Sequence, residues 1–223
     1  MKDYFNKLDD FSKFFRHCNF YAYSSSTESN SYMLMNNGST SPIVIMLTPQ
    51  HVTIHRSDDV HFYSCSREDW GPDFFEKCGR KKGENRNDYE SIAEDYRSYC
   101  TLDNLGKFLV DECNMRVECE RRLTPQICHL IKTVYDSTSY YTLTINFWED
   151  RKYFDLNFES FPFNENKSNV KQFRNTTDWS VETLERIEKE LPIDILTDYI
   201  TEYKKKFVRA NMKASDVQNK ASL

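Results

Sequence analysis

Two hydrophobic periodicities alternate along the chain. Apolar residues recur at helical spacing between positions 3 and 17, which predicts an amphipathic N-terminal helix. A polar stretch at 24–31 predicts a loop, after which the period changes to two as far as Cys65. Because turn residues separate short apolar runs in this part, the pattern predicts a four-stranded antiparallel meander. Its strands are predicted at 32–35, 43–47, 52–54 and 60–63.

The middle of the chain returns to helical spacing, from about residue 87 to residue 137. Tyr89, Ile92 and Tyr96 lie three and four residues apart, which indicates one face of a helix. Thr124 and Pro125 have the order of a helix N-cap and a first helical residue. These features predict a further helix that begins at Thr124. Its buried positions are predicted to be Ile127, Leu130, Ile131 and Val134.

A strict alternation of apolar and polar residues begins at Tyr141. It continues to Phe147 and resumes at Phe154, with charged residues at 149–152 between the two runs. This pattern predicts an antiparallel hairpin with one buried face. Its core positions are predicted to be Leu143, Ile145, Leu156 and Phe158.

The last apolar stripe follows Pro192 and repeats every three and four residues. Its members are Ile193, Leu196, Ile200, Tyr203 and Phe207. This spacing predicts a helical seam, which the chain's own head, a second copy or a partner could cover. The tail after Lys213 is predicted to be disordered.

Together the patterns predict an α+β fold. It consists of an antiparallel β-meander or sandwich head with inserted helices, an N-terminal helix and a C-terminal helical stalk. The predicted head covers residues 1–163, with the helical insertion at about 87–137. The helical segment covers 164–213 and the tail 214–223.

Composition narrows the class of protein. Thirty Lys and Arg against 35 Asp and Glu give a net charge of −5, which argues against a general coat for polyanions. Local basic groups remain candidate phosphate contacts. They are Arg80, Lys81, Lys82, Lys204, Lys205 and Lys206.

Localisation is predicted from the cysteines and from the apolar runs. Seven cysteines without a CxxC pair favour reduced thiols. The N-terminus has no export signal, and no apolar run approaches the roughly 20 residues of a membrane helix. We expect an intracellular protein, nuclear or cytoplasmic, that does not engage a membrane.

Three groups contain residue types used in metal or hydrolytic chemistry. They are His51, His55 and His61; Asp136, Asp150 and Lys152; and Cys113, Cys119, Cys128 and His129. None has a recognised ligand spacing, and glycine-rich phosphate loops are absent from the sequence. An exposed sheet face, solvated turn charges and small core residues explain them more simply. We therefore predict no catalytic residue, no cofactor and no metal.

Three stretches carry a resemblance to a known family. Residues 51–58 form a predicted strand that runs into a Ser-Asp turn, residues 123–130 form part of an inserted helix, and residues 141–161 form two predicted strands before the C-terminal segment. In this order they resemble the strand with its Ser/Thr-Asp turn, the second inserted helix and the last two head strands of the head-and-stalk scaffolds of non-homologous DNA end joining, the XLF and PAXX type. The resemblance implies a β-sandwich head and a parallel homodimer joined through a helical stalk. It also implies a non-enzymatic role in DNA repair.

The leading hypothesis is a non-enzymatic interaction protein that binds a protein partner or itself. Its most specific form is a homodimeric end-joining assembly factor with weak DNA contact. The alternative is a metal-dependent nuclease or other hydrolase that uses Asp136, Asp150 and the histidines of the first sheet. A third hypothesis is a module that inhibits or sequesters a partner, which the sequence does not distinguish from the first.

Overall fold

Two antiparallel sheets and six helices make up the described structure, and they confirm the α+β class and the β-meander. The structure is a computed structural model. It describes residues 8–26, 31–36, 42–56, 62–79, 88–120, 127–148, 153–163 and 168–208. Packing divides the chain into a first unit, Met1–Thr101, and a second unit, Leu102–Leu223. The predicted head, 1–163, covers the first unit and part of the second.

The first unit is a five-stranded meander between short helices. Helix α1 (Asp10–Phe14) continues into a 3₁₀ turn (Phe15–Cys18), and α2 (Pro72–Cys78) and α3 (Asp88–Cys100) follow the sheet. The strands pair in sequential order. They are β1 (Phe20–Ser26), β2 (Ser31–Asn36), β3 (Ile43–Leu47), β4 (His51–Arg56) and β5 (Tyr63–Ser66).

The second unit has the same order of elements. It begins with α4 (Asn104–Asp111) and ends with α5 (Val181–Glu188), α6 (Thr197–Tyr203) and a π turn (Lys204–Val208). Its strands also pair in sequential order. They are β6 (Arg116–Glu120), β7 (Ile127–Tyr135), β8 (Ser139–Phe147), β9 (Phe154–Pro162) and β10 (Asn169–Thr176).

The predicted hairpin is confirmed as β8 and β9. Leu143 pairs with Phe158, and Ile145 pairs with Leu156. All four side chains are buried, while the polar residues between them face outward. The alternation was decisive because only one register places every apolar residue of both strands on the same face.

The helix predicted from Thr124 is wrong, because residues 127–135 form strand β7. Cys128 and Leu130 are buried at a period of two, and the strand pairs with β6 on one side and β8 on the other. Ile131 lies on the opposite face. Isoleucine and valine occur on both faces of this strand. Their positions along the sequence therefore also fit the three- and four-residue spacing of a helix. The predicted insertion at about 87–137 therefore contains α3 and α4 but also two strands.

The N-terminal third also departs from the prediction. Strand β1 was not expected, and it extends to Ser26 inside the predicted 24–31 loop. The last strand of the meander is at 63–66, three residues later than predicted. Of the predicted N-terminal helix, the described residues show one α-helical turn and one 3₁₀ turn, and residues 3–7 lie outside the described ranges.

The predicted stalk is not a continuous helix. The segment 164–213 contains β10, α5 and the seven-residue α6, and residues 209–223 with the predicted tail lie outside the described ranges. Leu196 and Ile200 are buried. The rings of Tyr203 and Phe207 lie 5.1 and 6.1 Å from that of Phe108. The seam is therefore packed largely within its own unit.

The two units share sequence as well as element order. Leu8, Asp9, Lys13 and Phe14 are repeated at the same spacing as Leu102, Asp103, Lys107 and Phe108. In each unit a Cys-Asn pair follows just before the first strand, and both asparagines, Asn19 and Asn114, have positive φ angles of 58° and 53°. Asparagine tolerates this left-handed conformation better than most residues.

A second repeated stretch opens the helix that follows each sheet. Asp69-Trp70 precedes α2, and Asp178-Trp179 precedes α5. Each indole N–H donates to the capped start of its unit's first helix. Trp70 bonds to Ser12 Oγ at 2.9 Å, and Trp179 bonds to Asp103 Oδ2 at 3.0 Å.

Equivalent residues also make equivalent contacts in the last helix of each unit. Phe14 meets Tyr96 edge to face at 5.4 Å, and Phe108 meets Tyr203 edge to face at 5.1 Å. The next residue in each case pairs with a glutamate of the preceding helix. Arg97 lies 2.9 Å from Glu76, and Lys204 lies 2.7 Å from Glu185. We infer that the chain is a tandem repeat of one module.

A buried carboxylate holds the start of α6. Glu188 accepts hydrogen bonds from the backbone N–H groups of Ile195 at 2.5 Å, Leu196, and Thr197 at 3.2 Å. Burial raises the pKa of this carboxyl, although these hydrogen bonds oppose the rise. Folding therefore favours the protonated form, and its contribution to stability falls as the pH rises from about 4.3 through the raised value.

We expect Glu188→Gln to remove this pH dependence, because glutamine keeps an acceptor oxygen without the charge. Urea unfolding from about pH 4 to neutrality measures it. The difference in the free energy of unfolding, Glu188→Gln minus wild type, should grow with pH. Parallel curves for the two proteins would contradict the assignment.

Candidate functional site

The predicted basic groups fall into two sets. Arg80, Lys81 and Lys82 lie outside the described residues. The other three lysines lie close to carboxylates. Lys204, Lys205 and Lys206 are 2.7, 3.9 and 3.1 Å from Glu185, Glu202 and Glu112 respectively. Their role as phosphate contacts stays a prediction, and acidic neighbours weaken it.

The hydrolase candidates are not brought together among the described residues. Asp150, Lys152 and His61 lie outside those residues. Asp136 accepts hydrogen bonds from the backbone N–H of Thr138 and the hydroxyl of Tyr141, which lower its pKa to about 2. Its carboxylate thus closes the turn between β7 and β8.

The histidines and cysteines considered as metal ligands have ordinary surroundings in the fold. His51 is exposed on β4, and the ring of His55 stacks on Phe62 at 5.0 Å. The three cysteines Cys113, Cys119 and Cys128 are buried, and His129 Nδ1 lies 2.5 Å from Asn146 Oδ1. Within the described ranges, no group of three or more His, Cys, Asp or Glu residues could hold a metal ion. No helix there is long and apolar enough to cross a membrane.

The structure gathers a set of aromatic residues that the sequence analysis did not select. We call it the aromatic row, and its members are Tyr135, Tyr140, Phe161 and Phe163. Register places the first three directly beside one another on β7, β8 and β9. Tyr140 and Phe161 stack at 4.5 Å with their ring planes 9° apart.

The two ends of the aromatic row face solvent. Tyr135 is 71% exposed and Phe163 is 55% exposed. The row continues the outward face of the second sheet, opposite the face that carries Leu143 and Ile145. Next to it lie Thr142 and Glu159, which pair with each other across β8 and β9. The result is an open aromatic platform with a polar border.

The sequence contained a signal for this platform. Tyr140 and Phe161 occupy positions that the alternation of the hairpin assigns to the outward face, where polar residues are usual. An aromatic pair at two such opposed positions is a candidate surface rather than core. The first unit also exposes an aromatic residue, since Phe62 is 66% exposed.

Comparison with known proteins gives no relative. No protein-family model matches the chain, and no curated protein or solved structure matches it. The assignment of function therefore depends on the geometry described above.

Proposed function

We propose that this chain is an interaction protein, without catalytic activity of its own, and that the aromatic row is its main contact surface. The observation that carries the proposal is the exposure of Tyr135 and Phe163 at the two ends of a row of contacting aromatic rings. These two side chains hold large apolar areas in water, although the core of the second sheet is buried. Such area is removed from water when a partner binds.

The partner is another protein or a second copy of this chain. Tyrosine and phenylalanine rings supply large, rigid contact areas and are enriched at the centres of interfaces. Asp136 and Glu159 lie at the border of the platform, which makes phosphate-rich partners less favourable there. Tyr140 is already fixed by stacking on Phe161, so little side-chain entropy remains to be lost on binding.

The more specific hypothesis, a homodimeric end-joining scaffold, rests on the sequence resemblance alone. The resemblance implied a helical stalk, but the seam residues Leu196 and Ile200 are buried in the second unit. A homodimer of this chain would therefore use the aromatic row. Ile200→Asp, which would separate a stalk dimer, should instead destabilise the second unit.

Replacing Tyr135 and Phe163 together with serine should abolish binding while leaving the fold intact. Sedimentation over a concentration series measures self-association, and affinity capture with mass spectrometry measures partner binding. Phe62→Ser is the matched control, because it removes an equally exposed ring from the first unit. An unchanged oligomeric state and partner set in the double variant would contradict the proposal.

The nuclease alternative has a separate test. A divalent metal that binds only the native state raises the melting temperature. A metal-dependent rise, together with nucleic-acid cleavage that Asp150→Asn abolishes, would replace the present proposal with the alternative.

A further inference from the structure

A small pocket lies beside the repeated tryptophan of the second unit, at the end of the sheet away from the aromatic row. Trp179 meets Phe147 edge to face at 4.7 Å and Phe154 at 5.1 Å. The pocket encloses about 90 Å³. Its lining residues are Leu102, Asp103, Phe147, Tyr153, Phe154, Thr177 and Trp179. We call it the tryptophan pocket.

One carboxylate, that of the exposed residue Asp103, lies at the rim of this aromatic lining. Asp103 caps α4, with Oδ1 accepting the backbone N–H of Gly106 at 2.8 Å and Oδ2 accepting the indole N–H of Trp179 at 3.0 Å. Each carboxylate oxygen has a second lone pair, so Asp103 can accept further donors. None of the ion pairs found among the described residues joins a lysine or arginine to Asp103.

The first unit shows what satisfies the equivalent carboxylate. Asp9 caps α1 and accepts hydrogen bonds from the backbone N–H and the hydroxyl of Ser12, both at 2.9 Å. It also forms an ion pair with Arg67, whose Nη2 lies 3.1 Å from Asp9 Oδ2. The first repeat thus supplies a guanidinium to the capping carboxylate from its own chain.

The second unit lacks the residues that perform this task in the first unit. Gly106 stands where the first repeat has Ser12, so the indole bonds directly to the carboxylate. In the first unit three residues, 67–69, connect strand β5 to Trp70, and Arg67 is one of them. In the second unit only two residues, 177–178, connect strand β10 to Trp179. These two residues are Thr177 and Asp178, and neither is basic.

The two units also differ in the residues that correspond to the neighbours of Trp70. Trp70 contacts the rings of Phe11, Phe15, Phe74 and Phe75. The matching positions in the second unit hold Leu105, Leu109, Thr183 and Leu184. The second unit therefore carries aliphatic side chains and threonine at the four positions where the first unit has aromatic rings around Trp70.

We propose that the tryptophan pocket binds the guanidinium of an arginine side chain from another molecule. A cation that lies over an aromatic face is attracted by the quadrupole of the ring, and Phe147, Tyr153, Phe154 and Trp179 supply rings to this lining. Asp103 supplies the charge-assisted hydrogen bond that Asp9 makes to Arg67. The volume is far below the roughly 300–1,000 Å³ of pockets for drug-sized ligands, so it suits one side-chain head group. This inference does not depend on the aromatic row.

The full-length protein labelled with ¹⁵N tests the site directly. Acetyl-arginine amide is the probe, and the indole N–H resonance of Trp179, assigned with Trp179→Phe, is the readout. Acetyl-citrulline amide is the matched neutral ligand, since it has nearly the same shape without the charge. We expect a saturable shift with the arginine ligand and none with citrulline at the same concentration.

Two variants separate the pocket from general charge effects. Asp103→Asn removes the charge and leaves one acceptor oxygen where the carboxylate has two for Gly106 and Trp179, and it should weaken arginine binding by about tenfold or more. Thr177→Arg places a guanidinium at the lining of the pocket, as Arg67 does in the first unit, and should abolish binding while raising the melting temperature. Asn169→Arg adds the same charge on exposed β10 and should change neither.

The outcomes decide the proposal. A Trp179 shift that saturates with arginine and is lost in Asp103→Asn and Thr177→Arg supports it. No shift in the wild type, an equal response to citrulline, or an unchanged affinity in folded Asp103→Asn overturns it. Circular dichroism of each variant confirms that the fold is retained.

Discussion

Replacing Leu156 with alanine should lower the free energy of unfolding by about 2–5 kcal/mol. Leu156 is buried on the core face of β9 and lies directly opposite Ile145 on β8. Truncation removes apolar area from the core and leaves a cavity that central strands relax into only partly. Urea or thermal unfolding of the full-length protein measures the loss.

Asn157→Ala is the matched control for this prediction. Asn157 is the next residue on β9 and faces outward, opposite Thr144. Its replacement should change the free energy of unfolding by less than about 0.5 kcal/mol. Equal effects at the two positions would show that the faces of the strand had been assigned wrongly.

The hairpin was predictable because its pattern admits one interpretation. Polar residues separate the apolar ones from Tyr141 to Phe147 and from Phe154 to Phe158, and helical spacing fits neither run. Strand β7 was misassigned for the opposite reason. Its isoleucines and valine lie on both sides of the strand, so the sequence alone satisfies a helical pattern as well. Pairing with β6 and β8, which is non-local, decides the structure.

The repeat was also visible in the sequence but only in short pieces. Asp-Trp before α2 and α5, and Leu-Asp before α1 and α4, are separated by stretches of different length and composition. The two units have the same amino acids at positions whose side chains connect the helices of the module. These are the capping aspartates, the two tryptophans and the residues of the Phe–Tyr contacts. Strand residues need only be apolar on one face, so their identities diverged.

The candidate sites depend on contacts that sequence patterns do not reveal. Tyr140 and Phe161 lie 21 positions apart, and only the register of β8 and β9 stacks them. Likewise, the tryptophan pocket is defined by comparison with the first unit, where Arg67 satisfies Asp9. The basic clusters and the C-terminal seam were prominent in the sequence. The described part of the structure instead places Lys204 in an ion pair and Ile200 in the core.

Phe15→Ala should have the largest effect in the first unit, about 3–5 kcal/mol of the free energy of unfolding. Phe15 is fully buried, and its ring lies 4.8 Å from Phe20, 5.0 Å from Phe11 and 5.1 Å from Phe75. These rings join the 3₁₀ turn to α1, β1 and α2, so a cavity at Phe15 weakens every layer of the module. Chemical denaturation monitored by circular dichroism gives the change.

Phe62→Ala is the matched control, because it removes the same side chain from a position that is 66% exposed. Its cost should stay within about 0.5–1 kcal/mol, since Phe62 loses chiefly its stacking on His55. The ratio of the two effects tests whether the aromatic residues of the first unit divide into core and surface as described. If Phe62→Ala destabilised the protein as much as Phe15→Ala, the outward face of the first sheet would have to be covered in the native state. Phe62 would then belong to an interface rather than to a free surface.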